Sequence, residues 1–132
     1  LTNNDGWCFV NQRTFESKVY KDVYVIGDAS VAGAMPKSGF AANSHGKVCA
    51  AAIVSSLRGV VMPDPSYVNT CYSLVSPDYG ISVAAVYRHS EDKGIYKTGG
   101  GVSPIDADAA YRLREARFAK GWYDSITMDA FG

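Results

Sequence analysis

The sequence is poor in the features that identify a protein quickly. Its 132 residues hold no apolar run near the ~18 needed to cross a bilayer. No basic stretch followed by an apolar one opens the chain. Basic and acidic residues number 13 each and the formal charge is zero. That excludes a global pull toward nucleic acid, a membrane surface or acidic ligands. Cysteine is scarce: Cys8, Cys49 and Cys71 match neither a zinc-ligand spacing nor a Cys-x-x-Cys motif, so no metal site is expected. An odd count leaves at least one thiol unpaired, or paired outside this sequence. There is no Gly-x-Gly-x-x-Gly phosphate loop, no internal repeat and no low-complexity tract. The first residue is Leu1, which reads as a processed or excised chain, or as the later part of a longer one.

What is present suffices for a core, with 47% apolar residues. Residues 6–10 read as a short buried strand. Val23, Tyr24, Val25 and Ile26 follow one another without polar alternation, which predicts a strand over 22–27 covered on both faces, as in a parallel sheet. Ala41, Ala42, His45, Cys49, Ala52, Ile53 and Leu57 recur at helical spacing and predict a helix over 38–57. Pro36 leads into it, Ser38 is its N-cap and Gly59 its stop. Residues 60–66, with Pro63 and Pro65, read as an extended connection. Strands are expected at 67–75, 81–88 and 94–98, separated by turn-rich 76–80 and 90–94, in an antiparallel meander. Gly99-Gly100-Gly101 reads as a flexible joint. Ser103-Pro104 and Asp106 open a helix over 105–120 that ends at Gly121, and a tail follows from Trp122 to Gly132. The expected class is α+β: a strand–loop–helix of α/β type over 1–59, then a small antiparallel sheet with a C-terminal helix over 60–132.

The stretch DVYVIGDASVAGAMPKSG, residues 22–39, carries the clearest chemistry. A buried strand delivers Asp28 to its carboxyl edge, where open α/β sheets bind ligands. There the carboxylate can accept hydrogen bonds from ligand hydroxyls, and Gly27 lets a ligand approach the backbone. The helix start at Ser38 offers open N–H groups and the positive end of a dipole to a negatively charged oxygen. Lys37 adds charge of the same sign. Alone, Asp28 also reads as a turn carboxylate and Lys37 as a solvated surface lysine. The combination gives them weight.

VYVIGDAS resembles the second flavin-contacting motif of the two-dinucleotide-binding-domain flavoproteins, with Thr14 upstream where that motif often begins. GDASVAGAMPKSGFAANSHGKVCAAAI and NTCYSLVSPDYGISVAAVYR, residues 69–88, resemble the flavoprotein subunit of flavocytochrome c sulfide dehydrogenase. The likeness runs over essentially the whole chain. It implies FAD as cofactor, held in part by Gly27, Asp28, Pro36, Lys37 and Ser38. It also implies that Trp122 lies near the flavin, although a plain packing tryptophan is nearly as good a reading. The chain lacks the family's pyrophosphate loop. It is therefore expected to be the C-terminal third of the subunit, closing the FAD domain over 1–59 and forming the flavin-covering interface domain over 60–132, with the N-terminal part missing and the isolated piece inactive.

The resemblance further implies a redox-active disulfide beside the flavin, of which Cys71 is the second cysteine and an upstream residue outside this sequence the first. From spacing alone Cys71 reads as a small buried strand residue. Cys8 and Cys49 read as core, and His45 as a hydrogen-bonded structural histidine in preference to a proton carrier. Arg112, Arg114, Arg117 and Lys120 read as a solvated basic face, diluted by Asp106, Asp108 and Glu115. The implied function is periplasmic oxidation of sulfide to sulfur or polysulfide, with electrons passed to a c-type cytochrome subunit that carries the only heme. Two alternatives stand beside it. One is a sulfide:quinone reductase-like flavoprotein, disfavoured by the charge over 105–121. The other is a non-catalytic domain that docks a partner, consistent with nine tyrosines.

Overall fold

The structure, a computed structural model, describes residues 2–132. Helix α1 (Gly39–Arg58) is followed by strands β1 (Ser66–Ser76), β2 (Tyr79–Ser90) and β3 (Gly94–Val102), and by helix α2 (Ala109–Phe131). The strands form one sheet in the order β1-β2-β3. Pro77-Asp78 joins the first pair and 91–93 the second, connections short enough to serve only antiparallel neighbours. The arrangement is α+β, as the sequence predicts. No helix among the described residues is long and apolar enough to cross a membrane. The chain divides into two compact units, one of Leu1–Asn69 with Val86–Gly99, the other of Thr70–Ala85 with Gly100–Gly132.

In the first unit α1 starts and stops where its sequence says. Ser38 accepts from the Ala41 amide at 3.1 Å, and Gly59 takes the left-handed conformation, φ 63°. Ala41, His45, Cys49 and Ala52 form the buried stripe of α1. The ring of His45 stacks on Phe15 at 4.4 Å between centroids, and Tyr67 meets both rings edge-on at 6.0 and 6.4 Å. Val10, Met35, Tyr87 and Ile95 are buried with them.

Residues 22–27 are not the expected strand. A strand needs a partner for its ladder, and here there is a single bridge, Tyr24 to Glu16. Val23 and Ile26 remain largely exposed, and Gly27–Ala29 closes into a 3-10 turn. Residues 6–10 likewise make isolated bridges only, at Cys8 and Val10. Side chains replace the missing ladders. Gln12 Nε2 donates to the Val31 carbonyl at 3.0 Å, Gln12 Oε1 accepts from the Ile95 amide at 2.7 Å, and Tyr67 donates to the Gln12 carbonyl at 2.6 Å. Gly94 suits the β2–β3 turn because its φ of 64° strains any side chain, and a Cβ there would also push on Gln12 Oε1.

From Gly99 onward three expectations are corrected. Gly99-Gly100-Gly101 is no joint but part of β3. A Cβ on Gly100 would lie 2.2 Å from the Ala84 carbonyl oxygen, so the glycine permits strand contact. Helix α2 begins later and runs further than 105–120. Asp108 is its N-cap, accepting from Tyr111 N at 2.7 Å, and Gly121 lies inside it, as does Trp122. One interior glycine costs about 1 kcal/mol relative to alanine, too little to end a capped helix that packs along its length. Arg112 and Glu115 are not on a solvated face either. They are buried beside Ala116 and Ala119, with Arg112 Nη2 donating to the Pro104 and Ile105 carbonyls at 2.5 and 3.0 Å.

The strands change which positions they cover. Tyr67 and Asn69 are buried on β1 in the first unit, whereas Thr70 and Tyr72 are the half-buried ones in the second. On β2, Gly80, Ser82 and Ala84 give way to Ala85 and Tyr87. Odd numbers thus point inward in one unit and even numbers in most of the other.

Candidate functional site

Residues 27–38 do not follow a strand, yet they still gather. Gly27, Pro36 and Lys37 line one cavity of about 160 Å³, together with Trp7, Met35 and His45. Gly27 has φ 68°, a conformation in which side chains are strained, and a Cβ there would press to 3.3 Å on Ala42 of α1. Asp28 sits within the 3-10 turn, its carboxylate exposed and accepting no hydrogen bond among the described residues. The Lys37 ammonium folds back over this loop. It donates to the Asp28 carbonyl, donates to that of Ser30 at 3.4 Å, and lies 3.6 Å from the centre of the Trp7 ring. Lys37 is therefore held in place rather than left to wave in solvent.

Ser38 has both hydroxyl functions committed, accepting from Ala41 and donating to Asn69 Oδ1 at 2.5 Å. The helix tip beyond it stays open: nothing lies within 4 Å of where a Cβ on Gly39 would stand. The arrangement offers an uncommitted carboxylate, a fixed cation and an open helix start. These suit the polar edge of a ligand bearing both hydroxyls and a negative oxygen. A cavity this small takes an edge of such a ligand, since drug-sized molecules fill about 300 Å³ or more.

Two further members complete this cavity: His45, for which the reading as a hydrogen-bonded structural histidine holds, and Trp7, which sequence reasoning missed. His45 is 2% exposed, and its Nδ1 accepts from the Gly27 amide at 3.2 Å while Nε2 faces Met35 Sδ at 3.3 Å. Burial lowers its pKa from 6.5 to about 4, with Asp28 opposing and Lys37 assisting. Its place midway along the Ala41–Ala52 stripe carried the signal of burial, but not of the bond to Gly27. Trp7 gave no sequence signal beyond being aromatic.

In the second unit Cys71 is exposed on β1, against the expectation from spacing alone of a buried strand residue. It lines a mostly apolar cavity of about 360 Å³ with Ser73, Tyr79, Ile81, Val83 and Val102. Cys8 and Cys49 are buried, as expected, and none of the three forms a disulfide within the described residues. Trp122 lies elsewhere, half-buried, with its ring centre 6.0 Å from that of Tyr72. It lines a separate cavity of about 430 Å³ with Tyr72, Leu74 and Tyr123. Consecutive strand residues point to opposite faces, so Cys71 and Tyr72, and with Tyr72 the indole, are kept apart. Burial, aided by Glu115, raises the Tyr72 pKa.

In a comparison with known protein families, the model described as flavocytochrome c sulphide dehydrogenase, flavin-binding, aligns with residues 63–131, just over half of the chain.

Proposed function

The chain belongs to that flavin-binding family, whose members are oxidoreductase flavoproteins that take FAD, and on this premise we propose that it serves the oxidation of sulfide. The observation that carries the proposal is the exposed Cys71 thiol, set in an apolar cavity within the matched segment. We assign Cys71 as one half of a redox-active disulfide whose other cysteine lies outside this sequence. Hydrosulfide attacks one sulfur of that disulfide. The S–S bond breaks, a persulfide forms on one cysteine, and the electron pair leaves with the other as thiolate. FAD, when bound, supplies a two-electron acceptor that can pass electrons on singly. A cytochrome is the natural recipient, since the family name implies one in the complex. We place this chemistry in the periplasm, with sulfur or polysulfide as product.

Gly27, Asp28, Pro36, Lys37 and Ser38 are proposed to hold one edge of the flavin, and the cavity that Gly27, Pro36 and Lys37 line supports that role. Asp28 is free to accept from hydroxyls, and Lys37 with the open start of α1 favours a negative oxygen. Ser38 acts by fixing α1 rather than by touching the ligand. Trp122 stands against Tyr72 on the face of β1 opposite Cys71, which favours the packing reading of this residue over a flavin contact, in a domain over 60–132.

The test is the visible spectrum of the intact subunit, which supplies the second cysteine, with flavin released by heating and quantified, then anaerobic addition of sulfide. Bleaching of the flavin band is expected, and Cys71→Ser should retain flavin yet lose the bleaching. A serine variant that bleaches as fast as the unmodified protein would overturn the assignment.

A further inference from the structure

Four candidate flavin contacts, with the Ser38 cap beside them, sit on two short segments, the Gly27–Asp28 turn and the Pro36–Ser38 lead into α1. Neither segment belongs to a strand, so no ladder holds them in register. One buried side chain touches both. His45 Nδ1 accepts from Gly27 N, and on its other side Nε2 meets the sulfur of Met35, the residue just before Pro36. The ring cannot drift, being stacked on Phe15 and walled by Tyr67. An imidazole that accepts at Nδ1 must, when neutral, carry its proton on Nε2.

We propose that His45 is a positioning residue for the flavin: its Nε2-protonated ring ties the Gly27–Asp28 turn to the Met35–Ser38 segment and so sets the gap that the flavin edge enters. This rests on the reading of those segments as flavin-binding. Acid undoes the tie, because a protonated ring presents a donor at Nδ1 to the Gly27 amide, itself a donor. The titratable groups around the ring are Asp28 and Lys37 from the two segments, Tyr67 from β1 and Cys49 one turn further along α1. Burial raises the pKa of Tyr67 and of Cys49 and keeps both uncharged. Only Asp28 and Lys37 bear charge toward the ring, with opposite effects.

The test uses the isotope-labelled full chain, the hydrogen-exchange rate of the Gly27 amide, and FAD affinity by fluorescence titration. Imidazole nitrogen shifts should report protonation at Nε2 at neutral pH. His45→Phe keeps the stacked ring but removes the acceptor. It should speed Gly27 exchange and weaken FAD binding by about tenfold each, the measure of one lost hydrogen bond. His45→Gln can still accept but cannot titrate. It should bind FAD nearly as well at neutral pH and lack the loss of affinity that the unmodified protein shows on acidification. Protonation at Nδ1, or unchanged Gly27 exchange in His45→Phe, overturns the proposal. Should the phenylalanine variant fail to fold, the tautomer and the acid dependence of Gly27 exchange in the unmodified chain decide. If Gly27 exchange responds as expected while neither His45→Phe nor Asp28→Ala alters FAD affinity, the tie stands. What then falls is the flavin placement, and with it any role for His45 toward the flavin.

Discussion

The two units are held by different means. In the first, irregular segments leave backbone groups without ladders, and buried side chains answer them: Gln12 joins Val31 and Ile95, and His45 takes the Gly27 amide. In the second, regular elements satisfy their own backbones and lie close together. A Cβ on Gly80 would stand 2.5 Å from the Ala116 nitrogen of α2. The buried charges of that unit are incompletely answered, with Arg112 Nε and Nη1 and Glu115 Oε2 finding no partner among the described residues. Irregular backbone must borrow polar partners, whereas regular backbone depends on close fit. The first unit is thus exposed to the loss of a group, the second to the addition of one.

Four measurements bear on that contrast. Tyr67 is fully buried and anchors both the ring cluster and the Gln12 carbonyl, so Tyr67→Ala should cost about 4 kcal/mol in denaturant unfolding. Trp7 reports on the first unit and Trp122 on the second, so single-tryptophan variants show where the loss falls. Equal loss at both would collapse the contrast into one cooperative core.

The next effect is acid sensitivity. The His45 pKa is lowered from 6.5 to about 4, so on acidification the unfolded chain takes up a proton before the folded one does. Stability should be unaffected above pH 6.5, fall as pH drops toward about 4, and level off below, a loss of about 3 kcal/mol. His45→Gln should be flat across that window apart from the contributions of other groups. Third, Gly80→Ala should cost about 2 kcal/mol through overpacking against the α2 backbone. A neutral result would show that the helix can shift and that fit does not govern the second unit. Smallest is Asp64→Ala. Its ion pair with Arg13 is 3.3 Å long but Asp64 is 76% exposed, so the change should stay below about 1 kcal/mol.

Elements that carry their own signals were legible in the sequence. Helix α1 shows a capping serine, a buried stripe and a terminal glycine, and the meander shows alternating strands between turn residues. The 22–27 segment misled because an apolar run predicts a covered strand only if neighbours exist to cover it, and no periodicity reports on neighbours. Helix α2 outran its expected end because a glycine signals a stop only where packing does not carry the helix past it. Arg112 and Glu115 were placed in solvent because residue type outweighed position on the α2 stripe. Of the candidate site, the cluster from Gly27 to Ser38 was legible as a contiguous motif. His45 was legible as a hydrogen-bonded structural residue, but its partner Gly27 and the contribution of Trp7 were not, since they arise from tertiary approach alone.

The change of parity between Asn69 and Thr70 makes the exposure of Cys71 a matter of counting. Loss or gain of one residue just ahead of it, without a compensating bulge, would turn Cys71 inward and bring Tyr72 to the outer face. A thiol would then be exchanged for a phenol with no substitution at either position. The placement of the exposed sulfur is thus specified by chain length as much as by residue identity, and alignments of this strand should be judged by spacing before similarity.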